Sequence, residues 1–356
     1  MTRALLRLIA VAVLCCSAAG ADDGSPESLI EAEHWMKARA LVQPLVKANP
    51  EDARANFLMA RCLEAAGRYD EALVFAEKAS KLDPKNADYR VMLALVYGRK
   101  AIQAGLLRKI GLAHRIRRES ETALQLNPNH VEARLILIEY FYQAPGFVGG
   151  DKAKARRLAE DVVKLDPVRG YVAQASLSRR DRKPELVEGL YARALESSPR
   201  SYQALTTMSG FYTRGSQPNL ERAEKYALDA LALAPDRAAA YGQLAQLFVR
   251  QERWSDLDDI LTRAEAAVPD NLNPFFQAGR AVFQQGKDFA RAERYFRQYL
   301  DREPELNAPS HAQAYWRLAQ TLEKMGKTAE ALGSLQAALK LDPNLAGAKQ
   351  DLKRLR

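Results

Sequence analysis

The chain has 356 residues, of which 47% are hydrophobic and 27% charged, with a formal net charge of +9. This is the composition of a soluble protein able to form one or two compact domains or one elongated array. Beyond residue 21 no apolar run approaches membrane-spanning length, and a single remaining cysteine, Cys62, excludes an internal disulfide.

The N-terminus reads as a separate element. Arg3 and Arg7 precede the apolar run from Leu8 to Ala19, and Ala19-Gly20-Ala21 supplies small residues before Asp22-Asp23. The pattern predicts a secretory signal peptide over residues 1–21, cleaved after Ala21, and hence a periplasmic or secreted chain. Cys15 and Cys16 lack the small preceding residue that a lipoprotein signal requires. Without the signal the net charge is +7, which mildly favours acidic partners. Nucleic acid is not expected as a partner of an exported chain. Cys62 falls on an apolar helical face and reads as a buried, inert thiol.

The rest is punctuated by prolines at 50, 84, 128, 167, 199, 235, 269, 304 and 343, spaced 34, 44, 39, 32, 36, 34, 35 and 39 residues apart. Proline lacks the backbone donor and clashes with the preceding turn, so each is read as ending a helix. Leu-Asp-Pro occurs at 82–84, 165–167 and 341–343, Leu-Asn-Pro at 126–128 and Leu-Ala-Pro at 233–235. Between them lie pairs of amphipathic segments. In the stretch 238–269, Tyr241, Leu244, Ala245 and Phe248 share one helical face and Leu257, Leu261 and Ala264 another. A lone pair this short cannot bury a core, so copies must stack.

A beat near 34 residues of helix–turn–helix units resembles the tetratricopeptide repeat. Its small eighth residue is matched by Ala60, Ala245, Gly279 and Ala319. Its twentieth is matched by Ala72, Ala155, Ala223, Ala292 and Ala331, and its twenty-seventh by Ala79, Ala123, Ala194, Ala230, Ala264 and Ala338. Ile116, Val187 and Leu257 are larger than the family's twentieth residue. The resemblance implies an all-α fold: a right-handed solenoid of about nine helix pairs over 22–356. The units read as 25–50, 53–84, 87–128, 130–167, 168–199, 201–235, 238–269, 272–304 and 312–343, with a capping helix at 345–356. The Ala144-Pro145-Gly146 and Gly149-Gly150 turn is similar to one in exported bacterial members.

No catalytic constellation is present. His34, His114, His130 and His311 are scattered singly, without metal-ligand spacing. Gly326-Lys327-Thr328 lacks the upstream glycine of a phosphate-binding loop, since Thr321 stands there. No enzyme activity, metal or cofactor is expected. Binding is what the architecture offers. The resemblance implies a concave groove lined by first-helix positions: Gly242, Gln246 and Arg250 in unit seven, Phe276, Arg280 and Gln284 in unit eight, Trp316, Gln320 and Lys324 in unit nine. Gly242 beside Phe276 and Trp316 predicts a pocket for an apolar side chain, with the amides and Arg280 taking the backbone or carboxylate of an extended peptide.

A second candidate surface is the edge formed by the turns within units three to five. Arg99, Lys100, Arg108 and Lys109 lie there, with His114, Arg115 and Arg118 further along. Phe147-Val148 follows, then Arg179, Arg180, Arg182 and Lys183. Residues 99–126 hold seven basic and two acidic residues. The expectation is therefore a non-enzymatic scaffold of the bacterial envelope that binds a protein or extended peptide. The alternatives are a structural subunit of an envelope assembly or polysaccharide-export machine, and an accessory protein for an anionic glycan or lipid.

Overall fold

The computed structural model describes residues 24–214 and 218–356; the signal segment read over residues 1–21 lies outside them. Among the described residues are nineteen α-helices and no strand. They are α1 Pro26–Glu31, α2 Trp35–Ala48, α3 Ala53–Ala65, α4 Tyr69–Leu82, α5 Ala87–Gln103, α6 Leu106–Leu126, α7 Val131–Gln143, α8 Lys152–Leu165, α9 Pro167–Arg180 and α10 Val187–Ser197. Then follow α11 Tyr202–Arg214, α12 Leu220–Leu233, α13 Ala238–Arg250, α14 Trp254–Ala267, α15 Asn273–Gln285, α16 Phe289–Leu300, α17 His311–Lys324, α18 Thr328–Leu341 and α19 Ala346–Leu355.

Each helix packs on the next, and first helices also touch the first helix of the following pair, as α3 does α5, α11 does α13 and α13 does α15. First helices thus form the inner layer of an α-solenoid, second helices the outer. Alanine makes the close approach possible. Ala72, Ala76 and Ala79 on α4, Ala155 and Ala159 on α8, and Ala223, Ala227 and Ala230 on α12 are all wholly buried. Side-chain caps start many helices by satisfying free N–H groups. Asp52 accepts from the Ala55 N–H at 3.0 Å, Asp151 from Lys154 at 2.9 Å, and Ser310 forms a reciprocal capping box with Gln313. Cys62 is fully buried, and burial pushes its thiol up to about 11, so it stays protonated and inert.

One helix-ending proline is corrected by the structure. Pro167 opens α9 rather than closing α8. Asp166 alone links the two helices; its N–H is bonded to the Val162 carbonyl and its carboxylate accepts from the Arg169 N–H at 3.0 Å. Proline at the first helical position loses no bond, because that N–H is unpaired anyway. Gly170 then lies against the Val163 backbone, where a Cβ would overlap it.

The array also closes on itself, which its periodicity does not foretell. The start of α2 meets the loops that follow α14 and α16. His34 Nδ1 lies 2.7 Å from an Asp270 carboxylate oxygen, and Lys37 Nζ 3.1 Å from the other. The Met36 N–H donates to Glu305, and Leu306 packs on the core of the first three units. The 301–310 loop is itself tied down. Arg302 donates to the Pro269 carbonyl at 2.8 Å, and the His311 ring meets the Arg302 carbonyl at 2.8 Å.

This clasp is sensitive to pH. The hydrogen bond to Asp270 raises His34 above its ordinary value, outweighing burial. Burial pushes Glu305 up to about 7. Burial also acts upward on Asp270, but the His34 and Lys37 hydrogen bonds prevail and hold it at about 2. Groups with raised folded-state pKa values contribute stability at low pH and lose it as pH rises through those values. Both raised groups therefore weaken the clasp as pH climbs, while Asp270 weakens it only in strong acid. The thermal midpoint is expected to fall between about pH 5 and about pH 8, and Glu305→Gln to flatten that slope. Melting curves across the range check this, and an unchanged slope in the variant contradicts it.

A candidate binding groove on the concave face

Side chains of units five to seven, most of them from first helices, line an open cavity of about 560 Å³. Val172 and Arg179 come from α9, Thr206, Gly210, Phe211 and Arg214 from α11, and Gln243 from α13. Val187 and Tyr191 on α10 close one wall. The hollow has a local cause. Gly210 stands where a larger side chain would project inward, and a Cβ built there would come within 2.9 Å of the Arg214 guanidinium, which the missing side chain leaves room for. The apolar wall is rigid: Tyr191 and Phe211 meet edge-to-face at 5.6 Å. Gln243 Nε2 donates to the Thr206 carbonyl at 3.1 Å and fixes α13 against α11.

The rim is cationic. Arg179 and Arg214 are exposed, and among the described residues neither has an ion-pair partner. Other arginines of these units and of the turn edge are engaged. Arg180 pairs with Glu139 at 2.8 Å, Arg99 with Glu64 at 2.6 Å, and Arg250 donates to the Thr213 carbonyl. In units eight and nine burial and then the Arg280 guanidinium lower the pKa of Arg317, while Asp351 acts the other way, and Arg317 donates to Gln320 at 2.9 Å.

The pocket expected around Gly242, Phe276 and Trp316 does not form. Gly242 is buried against α15, where its missing Cβ faces Gln277 at 3.6 Å. Phe276 is turned into the core, 5.6 Å from Phe296 and 5.3 Å from Tyr299. Trp316 is covered by α19: its indole N–H donates to Asp351 at 2.7 Å, and Gly347 lies so close to the ring that a Cβ would overlap it. Gln320 also donates to Asp351, at 3.0 Å, and Gln246 to the Gly242 carbonyl within its own helix at 3.2 Å. Arg280 donates to Gln277 at 2.7 Å. On the turn edge Arg108, Lys109, Phe147 and Arg182 are exposed, whereas Val148 is buried.

Known proteins share this architecture. Tetratricopeptide repeat models match residues 29–96 and 276–346. The crystal structure of yeast Tom70 aligns with a TM-score of 0.52 at 15% identity, covering 93% of this chain and 79% of that one. A thermophilic TPR protein of Thermus thermophilus aligns with a TM-score of 0.45 at 20% identity, covering 58% of this chain and 95% of that one. No curated protein matches. The chain thus carries tetratricopeptide repeats, and repeats of this kind indicate a protein-interaction scaffold.

Because Trp316 packs under α19, Gly347→Ala is expected to force the ring aside. The cost is about 1–3 kcal/mol, as for other overpacked contacts. Urea unfolding measures the loss and Trp fluorescence should shift to the red. Wild-type stability and emission would show that α19 does not cover the ring.

Proposed function

We propose that this chain is a non-catalytic scaffold of the bacterial envelope that holds an extended, acidic segment of a protein partner along its concave face. The observation that carries this reading is the 560 Å³ cavity with Arg179 and Arg214 at its rim, neither paired among the described residues. A carboxylate between the two arginines satisfies their donors by charge-assisted hydrogen bonds. An apolar side chain two residues away packs on Phe211 and Tyr191, because an extended chain alternates its side chains with a period of two. The envelope location rests on the signal pattern of residues 1–21.

Fluorescence anisotropy with labelled acidic, neutral and basic peptides tests the groove. The acidic peptide is expected to bind, and added salt to weaken it. Arg179→Ala combined with Arg214→Ala should reduce its affinity by about tenfold or more, since a hydrogen bond to a charged group contributes about 1.5–3 kcal/mol. Equal binding of the three peptides, or no loss in the double variant, would overturn the reading.

A further inference from the structure

The four most exposed large apolar side chains among the described residues are neither in the groove nor scattered. Ile102 is 73% exposed, Leu106 75%, Leu107 86% and Phe147 81%, against 63% for the next, Val74. All four lie on the turns within units three and four, along one edge of the solenoid.

The unit-three turn projects. Helix α5 has 17 residues and α6 has 21, whereas α3 and α4 of the preceding unit have 13 and 14. Both α4 and α6 end at a Leu-(Asp/Asn)-Pro, so the extra length of α6 extends toward the turn. Seven more residues at 1.5 Å each carry the tip about 10 Å past its neighbour. Ile102 sits in the last turn of α5, and Leu106 and Leu107 in the first turn of α6.

The unit-four turn displays Phe147 on a fixed platform. It is a short 3-10 turn, Gly146–Val148, packed against α6. Val148 is buried beneath it, and the Tyr140 hydroxyl donates to the Val148 carbonyl at 2.5 Å. The Gly150 N–H donates to the Pro145 carbonyl at 3.0 Å and the Asp151 N–H to the Phe141 carbonyl at 2.8 Å. Gly149 has φ +98°, a conformation that other residues rarely adopt, and Gly150 lies against the Ala144 carbonyl with no room for a Cβ. The turn thus holds an aromatic ring out in water.

The charge on the tip itself is positive, with the Asp70 carboxylate of the preceding turn facing Lys100 and, more distantly, Arg108. No acidic residue occurs between Arg99 and Arg118. Arg99 pairs with Glu64, Lys100 with Asp70, Arg117 with Glu121 and Arg118 with Glu119. Arg108 and Lys109, next to Leu106 and Leu107, have no ion-pair partner among the described residues. On the third turn Leu186 is exposed beside Arg182 and Lys183, with Glu185 as the opposing charge.

We propose that this edge docks on an anionic lipid bilayer, with Ile102, Leu106, Leu107 and Phe147 entering the interface and Arg108 and Lys109 lying at the headgroups. A bilayer accepts apolar side chains from separate projecting points and supplies the negative charge that those cations lack. A second copy of the chain would set the same unpaired cations against each other.

The test is sedimentation of residues 22–356 with vesicles of pure phosphatidylglycerol and of pure phosphatidylcholine. This fragment contains the described solenoid and omits the apolar run of residues 8–19, which would itself partition into lipid. Binding is expected with phosphatidylglycerol and to be far weaker with phosphatidylcholine. Leu106→Ser, Leu107→Ser and Phe147→Ser together should reduce it by about tenfold or more. Arg108→Glu with Lys109→Glu should reduce it on the order of thirtyfold. The Arg179→Ala, Arg214→Ala groove variant should bind vesicles as wild type does, which separates this proposal from the groove reading. All tip substitutions are at exposed positions, and unchanged melting curves verify the fold. No binding to phosphatidylglycerol, or binding by both tip variants equal to that of the wild type, overturns the proposal. So does a dimer, seen by analytical ultracentrifugation, that the serine variant abolishes without any vesicle binding.

Discussion

A pair of helices of 13 and 14 residues, such as α3 and α4, buries too little apolar surface to stand alone. Everything in this molecule depends on successive pairs pressing close enough to share a core. The contact that permits this is alanine against helix: Ala76, Ala159 and Ala227 each lie at the bottom of a second helix with no exposed surface. The larger side chains between them, such as Leu58, Leu244, Tyr295 and Phe296, then fill the space that the approach defines. Stability of this kind is a sum of neighbour interfaces, so a regular unit constrains the fold and little else.

The departures from regularity do the particular work. The 301–310 loop gives unit eight a tail long enough to reach the start of α2, and the His34–Asp270 and Met36–Glu305 contacts join units far apart in sequence. A stack joined in this way opens less freely at its N-terminal end, and buried groups in the clasp couple it to pH. Gly210, at an inward-facing position where other units carry a side chain, opens the concave cavity. The lengthened α5–α6 hairpin and the glycine-built turn after α7 put apolar tips on the turn edge of the preceding units three and four. One solenoid thus carries a groove, a clasp and an edge, each from a different local exception.

The helical fold is legible in the sequence because proline spacing and alanine placement are local signals that repeat. The clasp is not, because the separation between His34 and Asp270 leaves no trace in periodicity. Treating every inward position of a repeat as water-facing misplaces the groove. Phe276 obeys the repeat register yet turns toward Tyr299 and Phe296, because aromatic residues on α16 offer it a better-packed site. Trp316 is inward-facing but terminal, and a following helix with Gly347 and Asp351 covers it. Arg179, Gly210 and Arg214 occupy inward positions of units five and six, so their signal is present in the repeat register. The aromatic residues of units eight and nine make a stronger pattern there and mask it. The exposed tip around Leu106 is visible as extra length, but only burial distinguishes a projecting hairpin from one folded back.

The central claim is that partners are held on the concave face at units five to seven. Site-specific photo-crosslinking tests it most directly, with the crosslinking residue placed at Thr207 in the cavity or at Lys225 on the outer helix α12 of the same unit. The account predicts capture of a discrete protein partner from Thr207 and not from Lys225, with the captured segment rich in acidic residues. Capture from Lys225 alone, or of the same proteins equally from both positions, would contradict it.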